Sequence, residues 1–236
     1  MKWTLFIFIL VSLTIQSCDE DGFCVNGKGS RESDEFHVSE FEGVQLSCSA
    51  DIYLRQGSNH EVIIKAQPNI LDEMDLSVRN DILDIDVDRC IRDHKQIEVY
   101  ITMPTLTYLN IEGSGDVVTD NDFEIDDLEL NINGSGDMDL SIEAEDVNID
   151  IDGSGSIVLF GSGTTLDIKI DGSGDIKAFD FPVDDCSVHV EGSGDCRVYP
   201  RDFLNVRIDG SGNVYYKGNP DIDLTINGSG DVINAN

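Results

Sequence analysis

Positive charge is what this chain of 236 residues has least of: 15 lysines and arginines face 47 aspartates and glutamates, for a formal net charge of −32. Such a surface repels phosphate backbones and anionic headgroups, so nucleic acid is excluded as a partner and cations or basic surfaces remain. Long hydrophobic runs are also scarce. The apolar run from Trp3 to Ile15 has thirteen residues, too short to span a bilayer. No stretch has the periodicity of a long amphipathic helix, and only Asn69 to Met74 suggests a single helical turn. The usual catalytic signatures are missing. No glycine loop is followed by lysine and a helix to hold phosphate, and there is no nucleophile elbow. His37, His60, His94 and His189 are scattered, none at metal-ligand spacing from another histidine or cysteine. His189 falls on the outward side of a strand and reads as a surface residue.

What is present is a repeat. Gly-Ser-Gly begins at Gly113, Gly134, Gly153, Gly172, Gly192, Gly210 and Gly228, at intervals of 21, 19, 19, 20, 18 and 18 residues. The next position reads Asp116, Asp137, Ser156, Asp175, Asp195, Asn213 and Asp231, short polar residues that favour turns. Six, four and two places before each copy from Gly134 onward the residues are apolar, as in Leu128, Leu130, Ile132 and Leu204, Val206, Ile208, with polar neighbours such as Asp150, Asp167 and Arg207. That alternation is a half-buried strand. A second strand follows each corner, with Val117, Met138, Ile157, Ile176, Cys196, Val214 and Val232 inward. The remainder of each unit, such as Lys217 to Asp221, reads as turn chemistry that closes a coil.

An antiparallel meander would disperse these corners laterally, with no reason for them to resemble one another. A solenoid stacks them about 4.8 Å apart, so every coil meets the same steric demand. The expected fold is therefore all-β, a β-helix or solenoid with Gly-Ser-Gly-Asp corners every 18 to 21 residues. A column of serines could then hydrogen-bond along the stack. Glycine suits a corner at positive φ, and a β-branched residue at Gly172 is expected to cost more than about 1 kcal/mol.

Upstream the pattern fades. Leu46, Cys48, Ser49, Ala50, Asp51, Ile52 and Leu54 align with an inward residue, corner and returning strand, with Cys48 in the first glycine's place. Alternating segments at Glu61 to Lys65, Leu83 to Val87 and Ile97 to Met103 read as strands in longer hairpin-like excursions. No Pro/Ser linker separates the halves, so residues 34–236 are expected as one domain, irregular over 34–108 and regular over 109–236.

The first residues address the protein. Lys2 and the run after it suit a signal peptide, residues 1–17. The run ends in Ile15-Gln16-Ser17-Cys18, which resembles a bacterial lipobox, making Cys18 the expected site of lipidation and the membrane a partner through the lipid anchor. Residues 18–33, acidic at Asp19, Glu20 and Asp21 and rich in Gly and Ser, are expected as a flexible tether. The acidic cluster resembles either a surface-export or an inner-membrane retention signal; composition favours the surface.

Stacked post-corner aspartates would repel by about 0.9 kcal/mol per pair in water. Each carboxylate accepting its own corner's amides would offset this. Structural calcium is the sharper alternative, although the spacing is not that of calcium-binding nonapeptide rolls. Of the five cysteines besides Cys18, at least one must be unpaired. Cys186 and Cys196 sit at inward positions and read as core; Cys48 with Cys90 is an open pairing, and Cys24 lies in the expected tether.

The Gly43-Val44 pair, the Asp51-Ile52-Tyr53-Leu54 strand with Gln56-Gly57, the Val99-to-Pro104 strand and the Gly-Ser-Gly-Asp series ending near Tyr215-Tyr216-Lys217-Gly218-Asn219-Pro220 together resemble the "putative auto-transporter adhesin, head GIN domain" family over residues 36 to 234. The resemblance implies a right-handed β-helix and an envelope or surface location, and names no catalytic or ligand residue. Cys48 departs from the small residue expected there. The reading is a non-enzymatic surface or outer-membrane lipoprotein, adhesin-like, displaying a rigid acidic solenoid to an extracellular glycan or protein, with no cofactor. The alternatives are a periplasmic scaffold or stress-related envelope factor, and a carbohydrate-active β-helix enzyme. Aromatics at Phe160, Phe179, Phe181, Tyr199, Tyr215 and Tyr216 hint at a sugar-binding strip.

Overall fold

A computed structural model describes residues 24–236; the expected signal peptide and Cys18 lie outside the described residues. The period-two segments form strands that pair in parallel and in register. Before the corner, Leu128, Val147, Leu166, Cys186, Leu204 and Ile222 are successive partners. After it, Ile52, Val117, Met138, Ile157, Ile176, Cys196, Val214 and Val232 form one column. The result is a β-solenoid of about seven turns. Its coils stack into an approach sheet, which precedes the corners, and a return sheet, which follows them. Inward residues from Leu128 to Ile208 on the approach sheet are at most 4% exposed, and each aliphatic buried this way contributes about 1.5–3 kcal/mol.

The far bend is the expected turn at residues 120–122 and 217–220, but differs from it in the coils between. Met138–Gly153, Ser156–Gly172 and Asp175–Val190 run almost unbroken from one corner to the next, rounding the bend as strand with register shifts between Val158 and Phe160 and between Lys177 and Pro182. Coils above and below satisfy the backbone there, so a bulged strand serves where an isolated chain would need turn residues.

The corners stack through backbone. The amides of Ser135, Ser154, Ser173, Ser193, Ser211 and Ser229 each donate to the first-glycine carbonyl one coil earlier, at 2.8–3.0 Å. Serine hydroxyls meet at the first step, Ser49 with Ser114 at 3.1 Å, while the amides hold the rest of the column. This approach dictates glycine. A Cβ on Gly134 would lie 2.2 Å from the Gly113 carbonyl oxygen, and one on Gly172, whose φ is +141°, 2.3 Å from that of Gly153.

Cys48 is explained by position. Leu46 pairs with Ile85 and Asp51 with Glu98, so residues 47–50 form a tight corner while the twelve residues 86–97 below them open into a longer excursion that includes the short strand Ile91–Arg92. No corner stacks beneath Cys48, and a side chain fits. The faded unit is thus the bottom corner of the column. Below it the chain turns to antiparallel pairing, Glu32–Glu35 with Ile63–Ala66, Glu61–Lys65 with Glu98–Thr102, and Met74–Arg79 with Ile82–Val87. The single helical turn is Pro68–Leu71.

The expected tether is corrected from residue 24 onward. Val25–Asn26 pairs with Ile91–Arg92, and Cys24 bonds Cys90 with a Cα separation of 4.5 Å. Cys90 therefore pairs with Cys24 and not with Cys48; Cys48, Cys186 and Cys196 are buried free thiols, and burial raises the pKa of each, that of Cys48 to about 12.

Two stability predictions follow from these contacts. Gly134→Ala is expected to cost at least about 2 kcal/mol, whereas Gly113→Ala, whose Cβ would stand 3.0 Å from the Cys48 carbonyl, costs under about 1 kcal/mol; urea denaturation compares them. The disulfide closes a loop with a sequence separation of 66, so replacing Cys24 and Cys90 by alanine is expected to lower stability by about 2–4 kcal/mol.

Candidate binding surface

Strand alternation that buries one residue displays the next. On the return sheet the second post-corner position points outward and forms a row across coils: Tyr100 and Tyr53 at one end, Val158, Lys177, Arg197 and Tyr215 toward the other. Phe160, 40% exposed, and the half-buried Phe179 and Tyr199 lie beside this row. Arg197 sits 5.1 Å from the Tyr215 ring centroid and Lys217 4.5 Å from that of Phe179, the geometry of cation–π attraction. Of the six aromatics singled out from sequence, Phe160, Phe179, Tyr199 and Tyr215 share this face. Phe181 is fully buried, and Tyr216 packs against the core. The lysines and arginine among them were missed, although Lys177 and Arg197 occupy the same position of successive repeats.

At the other end of the row Tyr53 and Tyr100 stack with centroids 4.9 Å apart. Beneath them Glu98, 8% exposed, accepts from Lys65 at 2.7 Å, Tyr100 Oη at 2.9 Å and Arg31 at 2.5 Å. The Lys65 hydrogen bond, helped by those of Tyr100 and Arg31, outweighs desolvation and pulls its pKa from 4.5 to about 2. The sequence gives no sign of this cluster, because its members come from two separate strands and the segment before Glu32.

The outer face of the approach sheet is polar and acidic. A concavity of about 390 Å³ there is lined by Ile149 and Ile168 together with polar residues including Glu129, Asn148, Asp150, Asp167 and Lys169; it is open rather than an enclosed ligand pocket. His189 is half-buried between acids, 3.0 Å from Asp209 and 3.5 Å from Glu191. Asp209 also accepts from Asn227 and Arg207; these hydrogen bonds, Asn227's foremost, together with that of His189, hold its pKa at about 2.

The post-corner aspartates do not cap their own corners. Asp116 accepts the amide of Asp137, Asp137 that of Ser156, Asp175 that of Asp195, and Asp195 that of Asn213, at 2.7–3.2 Å. Each carboxylate thus bonds the coil above it, and a charge-assisted hydrogen bond offsets the axial repulsion. Among the described residues, no three His, Cys, Asp or Glu side chains are grouped to hold a metal ion.

A parallel solenoid whose chemistry lies along its outer faces belongs to the class of repeat proteins with extended surfaces. The comparisons narrow this. The sequence profile of the "putative auto-transporter adhesin, head GIN domain" family matches residues 40–220, and the chain belongs to that family. Its fold is similar to that of a putative adhesin from Bacteroides fragilis, with TM-score 0.82 and 24% identity over 89% of this chain and 99% of that one. A putative adhesin from Parabacteroides merdae has TM-score 0.74 and 21% identity, over 91% and 100% of the two chains. A putative lipid binding protein from Parabacteroides distasonis has TM-score 0.73 and 24% identity, over 90% and 100%. Comparison with curated proteins gives no significant match.

Because Glu98 has a depressed folded-state pKa, its contribution to stability is fully present above about pH 4.5 and is lost as pH falls toward 2. Glu98→Gln is expected to flatten the acid limb of the stability profile in that window, as measured by urea midpoints from pH 7 to pH 2.5.

Proposed function

We propose that this protein is a non-enzymatic, adhesin-like lipoprotein, anchored in the outer membrane through a lipid on Cys18 and presenting its return-sheet face to an extended, uncharged glycan outside the cell. The observation that carries this reading is the grouping of Phe160, Phe179, Tyr199 and Tyr215 with Lys177, Arg197 and Lys217 on one face of a chain whose net charge is −32. Aromatic faces stack on sugar rings, and flanking cations donate hydrogen bonds to hydroxyls. The overall charge disfavours a polyanionic glycan. A rigid stack supplies this array at little ordering cost on binding. The carboxylates are repeated along the approach sheet rather than set apart as one constellation, which supports display over catalysis. The Cys24–Cys90 bond fits an oxidising compartment beyond the cytoplasm.

Titration with soluble neutral polysaccharides tests the surface: Phe160→Ala and Tyr215→Ala are each expected to weaken binding about three- to tenfold. Unchanged affinity in both variants would remove the face from the proposal. Protease shaving of intact cells tests the location. Loss of the protein beside an intact periplasmic control is expected, whereas protection until lysis would make the periplasmic scaffold the better reading. Cys18→Ala is expected to release the protein from the membrane fraction.

A further inference from the structure

The two ends of the solenoid are finished differently. At the lower end the outermost strand of the return sheet is Glu32-Ser33-Asp34-Glu35, exposed and almost wholly acidic, the kind of edge that repels further pairing. At the upper end Asp221–Ile226 pairs only with Phe203–Ile208 below it, and Val232–Asn234 only with Val214–Tyr216. Ile222, Leu224 and Ile226 occupy the inward register of the approach sheet yet are 38%, 48% and 42% exposed, while their partners Leu204, Val206 and Ile208 are fully buried. Main-chain groups along this strand's upper side have no partner strand among the described residues. The ladder also stops with an acceptor in place. Asp231 follows the last corner where Asp116, Asp137, Asp175 and Asp195 each accept an amide from the coil above.

We infer that this upper edge receives an extended segment of another polypeptide, one whose alternate residues are apolar and whose intervening residues are basic. Strand addition to an open edge supplies main-chain hydrogen bonds, and side chains at alternate positions supply selectivity. The apolar residues of the incoming strand cover Ile222, Leu224 and Ile226. Its intervening residues stand about one strand spacing, 4.8 Å, from Asp221 and Asp223, where lysine or arginine is favoured. Asp231 adds a third carboxylate at the rim. A second copy of this chain is the poorer occupant, since it brings the same aspartates and another net charge of −32. This inference does not depend on the glycan-binding face.

Fluorescence anisotropy at physiological salt tests it with three labelled octapeptides: alternating valine and lysine, alternating valine and glutamate, and a peptide with the first one's composition but its lysines in a single block. The alternating lysine peptide is expected to bind about five- to tenfold more tightly than either of the others, the size expected of two exposed ion pairs. Leu224→Lys is expected to abolish its binding, and Asp223→Lys to abolish the preference for lysine over glutamate. Both positions are exposed, and thermal melts check that each variant folds. If Leu224→Lys does not fold, Asp223→Lys alone decides. Equal binding of the alternating and blocked lysine peptides would reduce the effect to net charge and overturn the proposal. So would a concentration-dependent dimer in sedimentation equilibrium that Leu224→Lys dissolves, which would assign the edge to a second copy.

Discussion

Everything above the first corner depends on one contact, the backbone amide of a corner serine reaching the carbonyl of the glycine one coil below. It brings successive corners so close that no side chain fits between them, and so selects glycine twice in each coil. Once the corners stack, the sheets on either side have no freedom of register. A slip of one residue would turn every inward aliphatic outward. The aspartate ladder then adds a charge-assisted bond beside four of the corners, from Asp116, Asp137, Asp175 and Asp195. Those four carboxylates are repulsive in isolation and cohesive in the stack, because each faces an amide of the next coil.

The repeat made most of this legible. Seven copies of one corner, each flanked by apolar residues in period two, leave few architectures open, and the parallel pairing found is the one that gives identical corners a physical reason. Cys48-Ser49-Ala50 could be placed as an eighth, imperfect corner from its flanking residues. Its tolerance of a side chain could not be read, since that depends on residues 86–97 opening below it. The far bends of the middle coils were misjudged for a related reason. The expected turn forms at Lys217 to Pro220, but where a coil lies between two long neighbours, as Ser156–Gly172 does, its backbone is already satisfied and the strand continues. The partner of each aspartate was likewise hidden, because axial neighbours some twenty residues apart supply the amide.

The lower cap and the outer face of the return sheet show the same limit. Cys24 and Cys90 are joined only because the strands at Val25 and Ile91 pair, a relation with no local signal and one that moves the start of the fold into what composition marks as tether. Glu98, Arg31, Lys65 and Tyr100 form a cluster that follows from the antiparallel pairing below the first corner. By contrast Lys177, Arg197 and Tyr215 share one column and could have been found by placing outward residues in columns as carefully as inward ones.

The position of the disulfide also determines how the molecule would bear load. Tension drawn through the N-terminal residues enters the described fold at Cys24, and the covalent link passes it at once to Cys90. The short strand Val25–Asn26, held by two residue pairings, is therefore spared being unzipped one bond at a time. Force reaches the stacked coils through the excursion at residues 86–97, and the first noncovalent structure asked to resist is the broad sheet rather than a fraying end.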